Sequence, residues 1–175
     1  RFDQAASLLT DPVVLRALRF TLLHAALSTL ISIGLAIPVL IALRQTKSVW
    51  ILQFVRMLFS LPLVLPQIVA ALAIVVVFGQ NGWFAAVADA LQVSWPSIYG
   101  IVGILLAHVF FNMPLAVRIF DQALQSMPPE YDKIAEQLGL KGFRRFLLVE
   151  GVVIRNNIGG VANLIFLLCA TSFTI

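Results

Sequence analysis

The chain has 175 residues, 61% of them hydrophobic and only 11% charged, with a mean hydropathy of +0.99. A soluble domain carries about 25% charged residues, and a soluble fold this apolar would have to expose much of its apolar surface, so composition argues against one. The net charge of +4 is no nucleic-acid footprint: the twelve Lys and Arg gather at the ends of apolar runs, as topology signals do, and are not interleaved with exposed aromatics.

Residues 20–43, 57–88, 90–117 and 156–175 contain no Asp, Glu, Lys or Arg. A spanning helix needs roughly 20 apolar residues. The sequence therefore predicts an all-α, polytopic membrane protein: one domain, 1–175, with spans at about 12–44, 49–79, 97–126 and 154–175. Arg1 is no initiator, no n-region precedes the first span, and Ile175 falls inside or barely past an apolar run. A fragment of a longer protein, without a signal peptide, is the expectation. The single cysteine, Cys169, lies in the last apolar run and has no intrachain disulfide partner.

Asp11-Pro12 is a helix-start signal, an N-cap side chain followed by a proline at the first helical position. The first helix should run to about Arg44, and residues 44–47 form a short polar turn. The second starts near Ser48 and carries Pro62 and Pro66, four residues apart on one face. Each removes a backbone hydrogen bond, which predicts a kink or an unwound turn. With Gln67, these prolines could open the helix beside a solute pathway, or simply kink it for packing. Residues 80–96 read as a loop holding a short amphipathic helix, with Trp83, Trp95 and Tyr99 suited to a membrane interface.

That loop holds no Lys or Arg, whereas Arg44, Lys47, Arg118, Lys133, Lys141, Arg144, Arg145 and Arg155 lie in the turn at 44–47 and the segment 118–155. The positive-inside rule puts the basic segments in the cytoplasm and the 80–96 loop outside. Arg16 and Arg19 run against this and are outnumbered. In the third span, His108 and Asn112 stand one turn apart near the middle of the bilayer, with Phe111 beside them. Polar groups there line a pathway or bond a neighbouring helix, and both readings stand.

Residues 127–152 form the most informative segment. Pro128-Pro129 can seed a helix, with Glu130 and Asp132 in its first turn, where the positive helix end favours acids. Tyr131, Ile134, Ala135 and Leu138 follow at spacings of three and four, one apolar stripe. Gly139 suits the stop after this helix, with a positive φ. Residues 140–146 then give a second short helix with aromatic anchors and the basic side chains Lys141, Arg144 and Arg145. A short helix with an exposed stripe needs a partner groove or a lipid surface. The basic residues either anchor the loop at the membrane or meet acids of a partner.

This segment resembles the EAA loop of ABC importer permeases. Aligned on Gly139, Ala135 and Gly139 match the pattern and Val149 matches conservatively; Lys133 replaces the usual Glu, and Gly151-Val152 stands where a Leu-Pro is common. The stretches WPSIYGIVGILLAHVFFNMPLAVRIFDQAL, IAEQLGLKGFRRFLLVE and LIFLLCATSF together resemble the first half of thiamine ABC importer permeases, with iron(III) and polyamine permeases as relatives. The resemblance implies a MetI-like permease bundle in a bacterial inner membrane, importing thiamine or its phosphates, or else iron(III) or a polyamine. It implies coupling to an ABC ATPase dimer through Tyr131, Ile134, Ala135, Leu138, Gly139, Arg144 and Arg145. It also implies a periplasmic solute-binding protein and a second permease half or subunit. ATP and Mg would sit on the partner ATPase, with no cofactor or metal in this chain.

No P-loop, HExxH or GxSxG pattern is present, and no Ser–His or paired-Asp arrangement suggests an intramembrane enzyme. An ion-coupled secondary transporter is the rival of another class. It would need an intramembrane acid, and Asp121, near the cytoplasmic end, is the one acid within the spans.

Overall fold

The computed structural model describes residues 11–97 and 99–172. Its helices are α1 Pro12–Gln45, α2 Val49–Val64, α3 Gln67–Phe78, α4 Trp83–Ala90, α5 Ile101–Gln125, α6 Pro129–Gln137, α7 Gly142–Arg145 and α8 Gly151–Thr171. A π-helical turn, Phe146–Glu150, joins α7 to α8. No strand occurs among the described residues.

Local chemistry explains most boundaries. Asp11 caps α1, its carboxylate accepting from the Val13 amide at 2.8 Å. Pro62 lies inside α2, while Leu65 and Pro66 leave the helical conformation, with ψ of 134° and 135°. A proline pushes the preceding residue toward extended backbone, so the chain breaks at Leu65-Pro66 and restarts as α3.

Long-range contacts set the directions. Ser28 meets His108, and Leu43 shares a cavity wall with Val117 and Asp121, so α1 and α5 run parallel. Glu150 meets Arg44 and Asn112 meets Cys169, so α8 runs antiparallel to both. Arg56 meets Asp121 while Pro62 lies near Asn112, so α2 also opposes α5. One end of the bundle, the basic end, thereby gathers the 44–47 turn, α6 and α7.

The core sits where α1, α5 and α8 meet. Ala25, Ser28, Thr29, Ser32, Ile33, Ala36, Leu40 and Leu43 are the buried face of α1. Ala116, Val117, Phe120 and Leu124 face it from α5, and Ile154, Val161, Ile165 and Cys169 from α8. Small residues on α1 let the backbones approach closely, which is how helices associate where lipid is as apolar as leucine. Large apolar side chains such as Leu23, Leu30, Ile68 and Leu72 point outward. At the end away from the basic one, Phe84 stacks between Phe78 and Trp95, and Trp95 Nε1 donates to the Phe78 carbonyl at 2.8 Å.

Pro12–Gln45, Ile101–Gln125 and Gly142–Thr171 are each long and apolar enough to cross a membrane, as is the stretch Ile68–Ala90, which a turn divides into α3 and α4, and Val49–Pro62 adds a shorter apolar helix. The last helical stretch differs from the sequence expectation. In place of a short helix, a loop and a span from about 154, the chain stays helical from Gly142 to Thr171. Gly151 continues the helix, with φ −61° and ψ −29°, because the π turn before it takes up the irregularity. A Cβ at Gly151 would stand 3.2 Å from the Phe146 carbonyl oxygen, so a glycine gives this turn room. Helix therefore occupies most of the segment 127–152, with turns before and after α6. Residues 173–175 of the expected span lie outside the described residues.

Candidate functional site

The helix α6 stands at the basic end. Pro128 is its N-cap, Pro129 opens it, and Glu130 and Asp132 occupy its first turn. Gly139 takes φ +66°, the left-handed conformation that costs a residue with a Cβ roughly 1–2 kcal/mol. The Leu140 amide donates to the Ala135 carbonyl at 2.9 Å and the Gly139 amide to the Glu136 carbonyl at 3.0 Å. This pair of bonds is a Schellman motif, and it turns the chain sharply from α6 toward α7.

The apolar stripe divides. Tyr131, Ile134 and Leu138 are 52%, 53% and 68% exposed, whereas Ala135 is fully buried. A methyl group there lets α6 approach the bundle, while the three larger side chains remain available. With Leu148, Val152 and other residues they line a groove of about 640 Å³ between α6 and α8.

The two predicted arginines also part. Arg144 is exposed. Arg145 turns inward, pairing through Nη2 with Asp132 of α6 and lying 3.5 Å through Nε from Glu150. Glu150 is only 3% exposed and accepts from both Nε and Nη2 of Arg44, each at 3.3 Å. A buried carboxylate needs such partners, since an unpaired one would lose its hydration for nothing. Further in, Arg56 grips the buried Asp121 with two nitrogens, at 2.9 and 3.3 Å, and Gln125 Nε2 adds a bond at 2.7 Å.

The bundle centre holds polar groups. Ser28, at the middle of the 34-residue α1, shares a hydrogen bond of 3.2 Å with His108 Nδ1. The rings of His24 and His108 meet edge to face with centroids 5.0 Å apart. Asn112 Nδ2 donates to Cys169 Sγ at 3.1 Å. His108, Asn112, Phe111 and Pro62 line one cavity of about 200 Å³ with Leu65, Leu115, Leu168 and Ser172. Four of the six predicted pathway residues therefore come together. Pro66, exposed at the start of α3, is not among the residues lining it. The side chain of Gln67 lies outside the described residues.

Sequence reasoning did not find Glu150, Arg44 as its partner, or the Arg56–Asp121 pair. The available signal was a charge just inside an apolar run, opposite in sign to another at the same depth. Among the described residues no group of three His, Cys, Asp or Glu could hold a metal ion. The arrangement offers binding surfaces and interhelical bonds; it also sets one Ser–His pair, Ser28 and His108, side by side, which the sequence alone did not suggest.

These features define a multi-pass α-helical membrane protein with a short amphipathic helix standing at one end. No protein-family model matches the chain. It is 45% identical over 174 residues to the thiamine transport system permease protein ThiP of Brucella suis biovar 1 (strain 1330), covering 99% of this chain and 32% of that protein. It is 40% identical over 172 residues to the protein of the same name from Escherichia coli (strain K12), covering 98% and 32%. A probable sulfate transport system permease protein, cysT of Marchantia polymorpha, is 30% identical over 138 residues, 78% of this chain and 46% of that one. The likeness to transport permeases thus extends over nearly the whole chain, which is homologous to the thiamine permeases and spans about a third of their length. All three relatives are named as permeases of transport systems, not as enzymes.

Proposed function

We propose that this chain is part of the transmembrane subunit of an ATP-driven ABC importer and that the solute is thiamine or its phosphates. The observation that carries the reading is the 40–45% identity to thiamine transport permeases over 98–99% of the chain. The geometry supports it. An exposed apolar stripe on a short helix at the basic end suits the cleft of a soluble ATPase, and Tyr131, Ile134 and Leu138 would fill that cleft.

In this reading the protein lies in a bacterial inner membrane, with the basic end in the cytoplasm and the 80–96 loop, which holds Asp89, in the periplasm. It works with an ABC ATPase dimer, a periplasmic solute-binding protein and a second permease half. ATP and Mg sit on the ATPase, and this chain needs no cofactor of its own. ATP binding closes the ATPase dimer and displaces α6. Because the helix is continuous from Gly142 to Thr171, movement at the basic end reaches the membrane interior as a lever. The bundle halves then alternate access to the solute, which passes at their interface.

Two measurements test this. Uptake of labelled thiamine by vesicles carrying the full permease, with binding protein on the solute side, should require both ATP and the separate ATPase chain. Uptake driven by an ion gradient without ATP would overturn the reading. In a Cys169→Ala background, Asp89→Cys should react with an impermeant thiol reagent from the periplasm and Lys141→Cys should not. The reverse pattern would invert the topology and remove the docking argument.

A further inference from the structure

A chain of charges runs along the basic end. Glu150 Oε1 accepts hydrogen bonds from two Arg44 nitrogens and forms an ion pair with Arg145 Nε at 3.5 Å, and Arg145 Nη2 bonds Asp132. Two acids and two arginines make a sequence with no net charge, running from α6 through the start of the last helix to the end of α1. Little else ties α6 down. Apart from the buried Ala135, it packs thinly against the other elements among the described residues. The π turn ends on Glu150, and π turns inside helices recur at functional positions.

We propose that Glu150 is a positioning residue for coupling: the ion chain Asp132–Arg145–Glu150–Arg44 is the grip through which displacement of α6 reaches α1 and α8. The proposal rests on the importer reading. A half-exposed Asp132 at one end and a buried Glu150 at the other suit a link between a moving surface helix and a fixed bundle. Apolar packing alone would let α6 slide. One planar guanidinium links the two acids through different nitrogens, so a pull on Asp132 turns Arg145 against Glu150.

The test uses the full permease assembled with its ATPase and binding protein, and reads solute taken up per ATP hydrolysed. Asp132→Asn and Glu150→Gln should each lower that ratio about tenfold, within the usual range of coupling between sites, while the ATPase still co-purifies. Glu150→Asp, which keeps the charge, should recover most of it. The double variant Asp132→Asn with Glu150→Gln should be no worse than either single one, because both cut the same chain. An unchanged ratio in Asp132→Asn, or losses that multiply in the double variant, would overturn the proposal. Asp132 is half exposed, so its variant decides the matter even if Glu150→Gln fails to accumulate. Absence of ATP-dependent uptake in the unmodified assembly would instead defeat the importer reading itself.

Discussion

The centre of the bundle and its basic end hold their polar groups in opposite ways. At the centre, Ser28 bonds His108 and Asn112 bonds Cys169 across helices, with no carboxylate, lysine or arginine among them. At the basic end, Arg44, Arg56, Asp121, Asp132, Arg145 and Glu150 are charged and form ion pairs, with Arg44 and Arg56 each using two nitrogens. Burial cost sorts them. A charge at the middle of a bilayer costs several kcal/mol, about 2.5–3.5 on insertion scales, whereas one near the interface can reach water and headgroups. The centre is therefore joined by close packing with weak polar glue, and the end by strong, directional links around a helix that packs thinly.

The comparison breaks first at Arg56. Asp121 is buried, and its guanidinium partner is the charge that makes that burial tolerable. Removing one member of a fully buried pair costs about 3–5 kcal/mol, and the figure here is smaller because the Arg56 side chain is 43% exposed, but Asp121 still stays behind uncompensated. Arg56→Leu should therefore cut the amount of folded permease in the membrane sharply, read by detergent extraction and thermal unfolding. Arg56→Leu combined with Asp121→Leu should restore much of it. If the single variant is as stable as the parent, the charges at this end are ornaments, and the contrast with the centre fails.

A second test separates stability from coupling at the same end. Ile134 is 53% exposed, so Ile134→Asp should leave the bundle folded. On the proposed function it places an unpaired charge in an apolar cleft, at a cost of a few kcal/mol, and should release the ATPase during co-purification. Gly139→Val should act through the backbone, since φ +66° disfavours a β-branched residue by about 1–2 kcal/mol and the Schellman turn would open. Its expected effect is smaller: ATPase retained in part, uptake reduced. Normal retention and uptake in both variants would mean that α6 is not the coupling element.

How much of this could be read from the sequence follows the same division. The break at Leu65-Pro66, the cap at Asp11, the start at Pro128-Pro129 and the turn at Gly139 each rest on one local residue with a backbone preference, and such signals are readable. The stripe on α6 was readable as a stripe, but not that its Ala135 edge faces inward, because a periodicity gives a face and not what lies opposite. Glu150 was hidden for two reasons. Arg145 and Glu150 are five apart, a spacing that an α-helix does not bring together, and the π turn that changes the register has no compositional mark. Arg44 and Arg56 find their acids on other helices, 106 and 65 residues away, and one sequence carries no record of such pairs.

The smallest expected effect belongs to the centre, and it sharpens the contrast. His108 bonds Ser28 and also lines the cavity beside Pro62, Phe111 and Asn112. A hydrogen bond between membrane helices contributes about 0.6 kcal/mol on average, so His108→Ala should leave accumulation nearly unchanged and shift unfolding only slightly. Ser28→Ala removes the same bond without opening the cavity wall, and should match it in stability. The two differ in what they predict for transport. If His108 serves only as glue, both variants take up solute equally well. If its ring also lines the solute path, His108→Ala alone loses uptake, with the ATPase still bound. A His108 variant that fails to accumulate would show that the centre too depends on a single strong contact, and the division between weak glue inside and strong links at the end would have to be abandoned.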